Sequence, residues 1–118
     1  MLGAIIEAMA YDEVLAERIR AIVADEPGLT EKKMFGGLAF LIAGNMAVAA
    51  SGQGGLLLRI DPADADDLVD GGAVTRMEMR GKEMDGWLRV TTEAVAGEDA
   101  LAAYVARGVD YASSLPPK

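Results

Sequence analysis

Seven cations are the residues of this chain best placed to do binding chemistry: Lys32, Lys33, Arg59, Arg76, Arg80, Lys82 and Arg89. They fall in apolar or alternating stretches and the turns beside them, so several of them could converge on one side of a sheet. There they would form a candidate interaction surface for an acidic protein partner or a phosphate. The competing reading is that they neutralise nearby Glu78, Glu83, Asp85 and an acidic helix, and exposed pairs of that kind contribute only about 0 to 1 kcal/mol each.

The other candidates have plainer explanations. Gly52-Gln53-Gly54-Gly55 could cradle a phosphate, but that mechanism needs a helix start after the loop, and here an apolar strand follows. The loop reads as a hairpin connection. Asp61, Asp64, Asp66, Asp67 and Asp70 supply oxygen ligands for a hard cation, yet they lack the glycine and terminal glutamate of a calcium loop. They read as a helix start and a solvated acidic face. Met34, Met46, Met77, Met79 and Met84, with Phe35 and Trp87, could line an adaptable apolar surface, although methionines in strands are usually core. Ser51, Thr75, Thr91 and Thr92 carry hydroxyls, but the chain has no histidine to activate them and no cysteine to replace them. No catalytic constellation, cofactor or metal is expected, and the chain is read as a non-enzyme.

The elements that must hold these residues follow from periodicity. Tyr11, Val14, Leu15, Ile19, Ile22 and Val23 recur at three- and four-residue intervals, which predicts an amphipathic helix over 11–25 ending at Pro27-Gly28. From Lys33 to Ala50 apolar runs are punctuated by Gly36-Gly37 and Gly44-Asn45, so Leu38–Ala43 and Met46–Ala50 are expected to pair as a hairpin with Gly44-Asn45 at its turn. The unbroken apolar run Leu38–Ile42 implies a strand covered on both faces. Leu56–Ile60 is a further strand. Asp61 and Pro62 then cap a short helix to Asp70. Val74–Met79 and Trp87–Val90 are the last strands, and Leu101, Tyr104, Val105, Val109 and Ala112 form the buried stripe of a final helix over about 97–112. Gly108 inside that helix costs about 1 kcal/mol relative to alanine, which implies a close packing contact.

At 118 residues, 52% hydrophobic and 25% charged, the chain has the size and composition of one globular domain. The expected fold is α+β: a single domain with a meandering antiparallel sheet packed by N- and C-terminal helices. Residues 1–8 are expected to be a flexible extension and 9–118 the domain itself. The net charge of −8 repels nucleic acid at long range, so direct nucleic-acid binding is not expected. No stretch approaches the roughly eighteen apolar residues of a membrane span, and the apolar opening lacks a cationic start, so a cytoplasmic location without membrane contact is expected. The doubly apolar central strand, with few helices to cover a sheet, predicts a homodimer or a protein partner.

Lys33-Met34-Phe35-Gly36-Gly37, the apolar hairpin after it, the Leu57–Asp61 strand end, Gly86-Trp87 and the terminal Leu115-Pro116-Pro117-Lys118 together resemble the TfoX (Sxy) N-terminal domain family of bacterial proteins. The resemblance covers nearly the whole chain from about Ala10. It implies an α+β domain found in competence regulators and in stand-alone proteins, here without the C-terminal domain that the full regulator carries. It brings no catalytic residue. The expectation it supports is a non-enzymatic regulatory or protein-interaction module. The alternative is a sensor of a small ligand or phosphometabolite using the basic residues of the sheet and the glycine loop.

Overall fold

The computed structural model describes residues 11–34 and 36–118. The expectation of a flexible extension over 1–8, and any role for Phe35, lie outside the described residues.

Helix α1 spans Glu13–Val23, with Asp12 as N-cap accepting a 3.0 Å hydrogen bond from the Leu15 amide. Six strands follow, β1 (Leu29–Met34), β2 (Gly37–Ile42), β3 (Asn45–Ala50), β4 (Leu56–Arg59), β5 (Val74–Met79) and β6 (Lys82–Val90). They form one antiparallel sheet in the order β1-β2-β3-β4-β6-β5. Between β4 and β5 lie a 3₁₀ turn over Pro62–Asp64 and the short helix α2 (Ala65–Leu68), and helix α3 (Glu98–Ser114) closes the fold. The fold is therefore α+β, with helices at both ends of the described chain.

Strand alternation divides the apolar residues between two clusters. Leu38, Phe40, Ile42, Val48, Leu56, Leu58, Leu88 and Val90 point to one face, where Leu15, Ile19 and Val23 of α1 and Leu101, Val105 and Val109 of α3 meet them. Ala39, Leu41, Met46, Ala49, Leu57 and Met77 point to the other, with Met34 and Trp87 against them. All six residues of β2 are buried, so this strand is covered on both faces as its unbroken apolar run implies. That cover is complete within the single chain: Leu57, at the heart of the second cluster, is 1% exposed. Fully burying such a side chain contributes about 1.5–3 kcal/mol.

Gly108 sits where α3 crosses the sheet. A Cβ there would lie 2.5 Å from the Ala47 carbonyl oxygen and 3.0 Å from Leu58 Cδ1, so only glycine lets the helix backbone come this close. The Met-Phe-Gly-Gly segment has a similar reason. A Cβ on Gly37 would collide with the Ala50 carbonyl and one on Gly52 with that of Gly36, so two backbones touch at the start of β2.

Several boundaries differ from the sequence-based expectations. The β2–β3 turn is made by Ala43 and Gly44, both with positive φ, and Asn45 starts β3 opposite Ile42. The turn sits one residue earlier because Asn45 is used elsewhere: its buried side chain donates from Nδ2 to the Pro116 carbonyl at 3.0 Å. The Lys118 amide donates to the Ala43 carbonyl at 2.8 Å, so the Leu115–Lys118 tail is pinned to this hairpin. The helix expected to reach Asp70 stops at Leu68, since the Asp70 carboxylate turns back to accept from the Gly72 and Val74 amides. The last strand begins at Lys82, not Trp87, and takes up the extra residues where its register with β5 shifts between Arg76 and Glu78.

Replacing Gly108 tests the packing. Gly108→Val forces α3 away from Ala47 and is expected to lower unfolding free energy by about 1–3 kcal/mol in urea titrations. Gly108→Ala should cost less, because alanine recovers about 1 kcal/mol of helix propensity. A variant as stable as the parent would show that the approach is not tight.

Candidate interaction surfaces

The seven cations do not form one patch. Lys32 and Lys33 lie on β1, opposite Ala39 and Leu38, and so project to opposite faces of the same strand. Arg59 on β4 and Arg89 on β6 sit opposite Trp87 and Leu57 on the second face. Arg76 lies opposite Leu88 and turns to the first face, where it pairs with Asp66 of α2. Arg80 is in the β5–β6 turn and Lys82 begins β6. With neighbouring strands about 4.8 Å apart, four intervals put β1 roughly 19 Å from β6.

Three local arrangements result. The first is the β1 edge. Thr30 to Lys33 are all exposed, and β1 has a partner on one side only. Its position is held by Arg20 of α1, which grips Glu31 through two hydrogen bonds of 2.7 and 2.9 Å and also pairs with Glu17. The hydrogen bond from Arg20 holds the Glu31 carboxyl below the usual carboxylate range, and the Arg20 guanidinium is raised in turn, chiefly by its hydrogen bond to Glu31.

The second is a stack at the end of β4. The Arg59 guanidinium lies 5.0 Å from the centre of the Trp87 ring and 5.6 Å from that of Tyr111 on α3. A planar cation between two ring faces is a favourable arrangement that lysine reproduces poorly. Tyr111 carries no signal in the sequence as an arginine partner, because it comes 52 positions later and lies off the predicted helix stripe, between Val109 and Ala112.

The third is a cleft of about 550 Å³ lined by Gln53, Thr75, Arg76 and Arg89 together with the carboxylates Glu78 and Glu83. Arg89 donates to the Ser51 hydroxyl at 3.2 Å. The glycine loop beside it is a hairpin connection closed by its own bonds: the Ser51 hydroxyl accepts from the Gln53 amide and the Ser51 amide donates to Gly55.

The remaining candidates are placed plainly. Asp61 caps the 3₁₀ turn through the Ala63 amide. Asp70, whose carboxyl is held low by the Val74 and Gly72 amides, shapes the turn before β5. Among the described residues no cluster of acids has metal-holding geometry. Met46 and Met77 are core, Met34 and Met84 are half-buried, and Met79 is 39% exposed. Of the hydroxyls, Ser51 serves the loop and Arg89, Thr91 accepts from the Ala94 amide, and Thr75 lines the cleft. No helix among the described residues is long and apolar enough to cross a membrane.

Two measurements check this geometry. Trp87 is the single tryptophan of the chain, so Arg59→Leu is expected to shift its fluorescence and lower stability by about 0.5–2 kcal/mol, with Arg59→Lys in between. Unchanged emission would contradict the stack. For Glu31, a depressed folded pKa means its stabilisation is present above its unfolded value of about 4.3 and is lost as pH falls through the folded value. Glu31→Gln should therefore lower the urea midpoint at pH 7 by more than it does near pH 3. An equal loss at both would rule out the ion pair as the cause.

The sequence pattern described as the TfoX N-terminal domain matches residues 21–112 of the chain, from the last turn of α1 to the last turn of α3. No curated protein matches it. The matched region contains the Met-Phe-Gly-Gly segment whose backbones touch at Gly37 and Gly52, the whole sheet and the Gly108 crossing, and the chain belongs to the TfoX N-terminal domain family.

Proposed function

We propose that this competence-regulator-like domain is a non-enzymatic, cytoplasmic interaction module. It works by associating with protein, a second copy first, and not by contacting nucleic acid directly. The observation that carries the reading is the β1 edge, whose residues Thr30 to Lys33 are exposed while every residue of its neighbour β2 is buried. An exposed edge offers a row of backbone donors and acceptors for another strand. The doubly apolar character of β2 does not itself call for a partner, since both of its faces are already out of solvent.

A second copy fits in the antiparallel register centred on Lys32, which sets Glu31 and Lys33 of the two copies opposite each other on one face. Opposite charges at such positions contribute roughly 0.2–1 kcal/mol per pair. The two Lys32 side chains then meet across the axis, which keeps the association weak and guards the edge against indiscriminate pairing. Native mass spectrometry is expected to show a dimer that Lys33→Glu dissociates, because both favourable pairs become repulsive, and that Lys32→Thr tightens. A monomer at all micromolar concentrations, unaffected by either change, would refute the homodimer.

A second reading, a sensor of phosphorylated metabolites, draws on the cleft where Arg76, Arg89 and Gln53 meet, beside Glu78 and Glu83. It predicts a saturable rise in Tm with inorganic phosphate or a nucleotide that Arg89→Gln abolishes. A Tm that does not respond removes it.

A further inference from the structure

The outer face of α1 has the features of a docking groove. The buried side of this helix is Leu15, Ala16, Ile19 and Val23, which at 100° per residue occupy one arc of about 100°. Val14, Arg18, Ala21 and Ile22 fall outside that arc. Val14 is 71% exposed, and the one other exposed large hydrophobic residue among those described, Met79, is 39% exposed. The helix periodicity counts Val14 among the core residues, and the structure turns it to solvent.

Val14, Ala21, Ile22 and the stem of Arg18 form the floor of a hollow of about 560 Å³, rimmed by Glu13, Glu17 and Glu98. Two of the three carboxylates already have an ion pair: Arg18 donates to Glu98 at 2.8 Å and to the carbonyls of Val95 and Ala96 at 2.9 and 3.2 Å, and Arg20 pairs with Glu17 through one of its oxygens. An incoming group meets an apolar floor and a carboxylate rim. From Val14 to Ile22 the floor runs about 12 Å along the helix axis, the length over which a facing helix presents anchors at i, i+4 and i+7.

We propose that this face binds a basic amphipathic helix of a protein partner, with apolar side chains set against Val14, Ala21 and Ile22 and lysines or arginines against Glu13, Glu17 and Glu98. The inference rests on the reading of the chain as a protein-binding domain and names a partner class for a second surface, on α1, which the Glu17–Arg20–Glu31 contacts join to β1. Charge decides among the occupants. The chain's net charge of −8 steers a cationic partner inward and works against a second copy at this acidic face.

The test is fluorescence anisotropy of the full chain with a labelled synthetic leucine–lysine helix, beside a scrambled peptide of equal charge that cannot form an apolar face. Saturable 1:1 binding is expected, at least tenfold weaker for the scrambled peptide, at least tenfold weaker in Val14→Asp and several-fold weaker in Glu13→Lys. Equal binding of both peptides, equal binding by Val14→Asp, or no saturable binding would overturn the proposal. A dimer that Val14→Asp dissociates would also overturn it, by assigning the face to a second copy. Dependence on Lys33 instead of Val14 would move binding to the β1 edge, leaving the broader reading intact while this one fails.

Discussion

The rest of the structure depends on how closely α3 lies on the sheet. At Gly108 the helix backbone rests on the Ala47 carbonyl with no room for a Cβ, and that contact fixes what lies on either side of it. Three residues later Tyr111 reaches Arg59 and completes the stack with Trp87. Beyond the helix end, Pro116 and Lys118 meet Asn45 and Ala43 at the β2–β3 turn. At the other end, Glu98 and the carbonyls just before it hold Arg18, so α1 takes its place from α3. Through Arg20 and Glu31, α1 then positions β1.

This chain of contacts separates the interior from the surfaces left for association. Interior positions are filled by apolar side chains on both faces of the sheet, and the backbone touches itself at Gly37 and Gly52, where larger residues would collide. The polar groups available for recognition are pushed to the rim: an edge strand with two lysines, a short cleft between β5 and the glycine loop, and a helix face whose carboxylates surround an apolar strip. Each rim site is small and carries its own charge character. Such surfaces suit selective, reversible contacts better than a large obligate interface.

Much of the interior was legible from residue type alone. The run Leu38–Ile42 requires two covered faces, Asp61-Pro62 starts a turn of helix, and a glycine within the α3 stripe requires a close neighbour; each has its counterpart in the structure. The periphery was less legible. β1 is Leu-Thr-Glu-Lys-Lys-Met and shows no apolar alternation, because an edge exposed on both sides has nothing to bury. The seven cations do not gather into one patch because they are spread over β1, β4, β5, β6 and the β5–β6 turn and over both faces of the sheet, and strand order is not a property of local sequence. Val14 shows the limit of spacing alone: a three- or four-residue interval admits it to the core, whereas the full angular position relative to Leu15, Ile19 and Val23 excludes it.

The central claim is that the exposed β1 edge is where this domain associates. Hydrogen–deuterium exchange resolved to the Thr30–Met34 amides, followed from nanomolar to tens of micromolar protein, tests it most directly. The account predicts that β1 becomes protected as concentration rises while the interior amides of β2 and β3 stay unchanged. Exchange at β1 that is rapid and independent of concentration would contradict it.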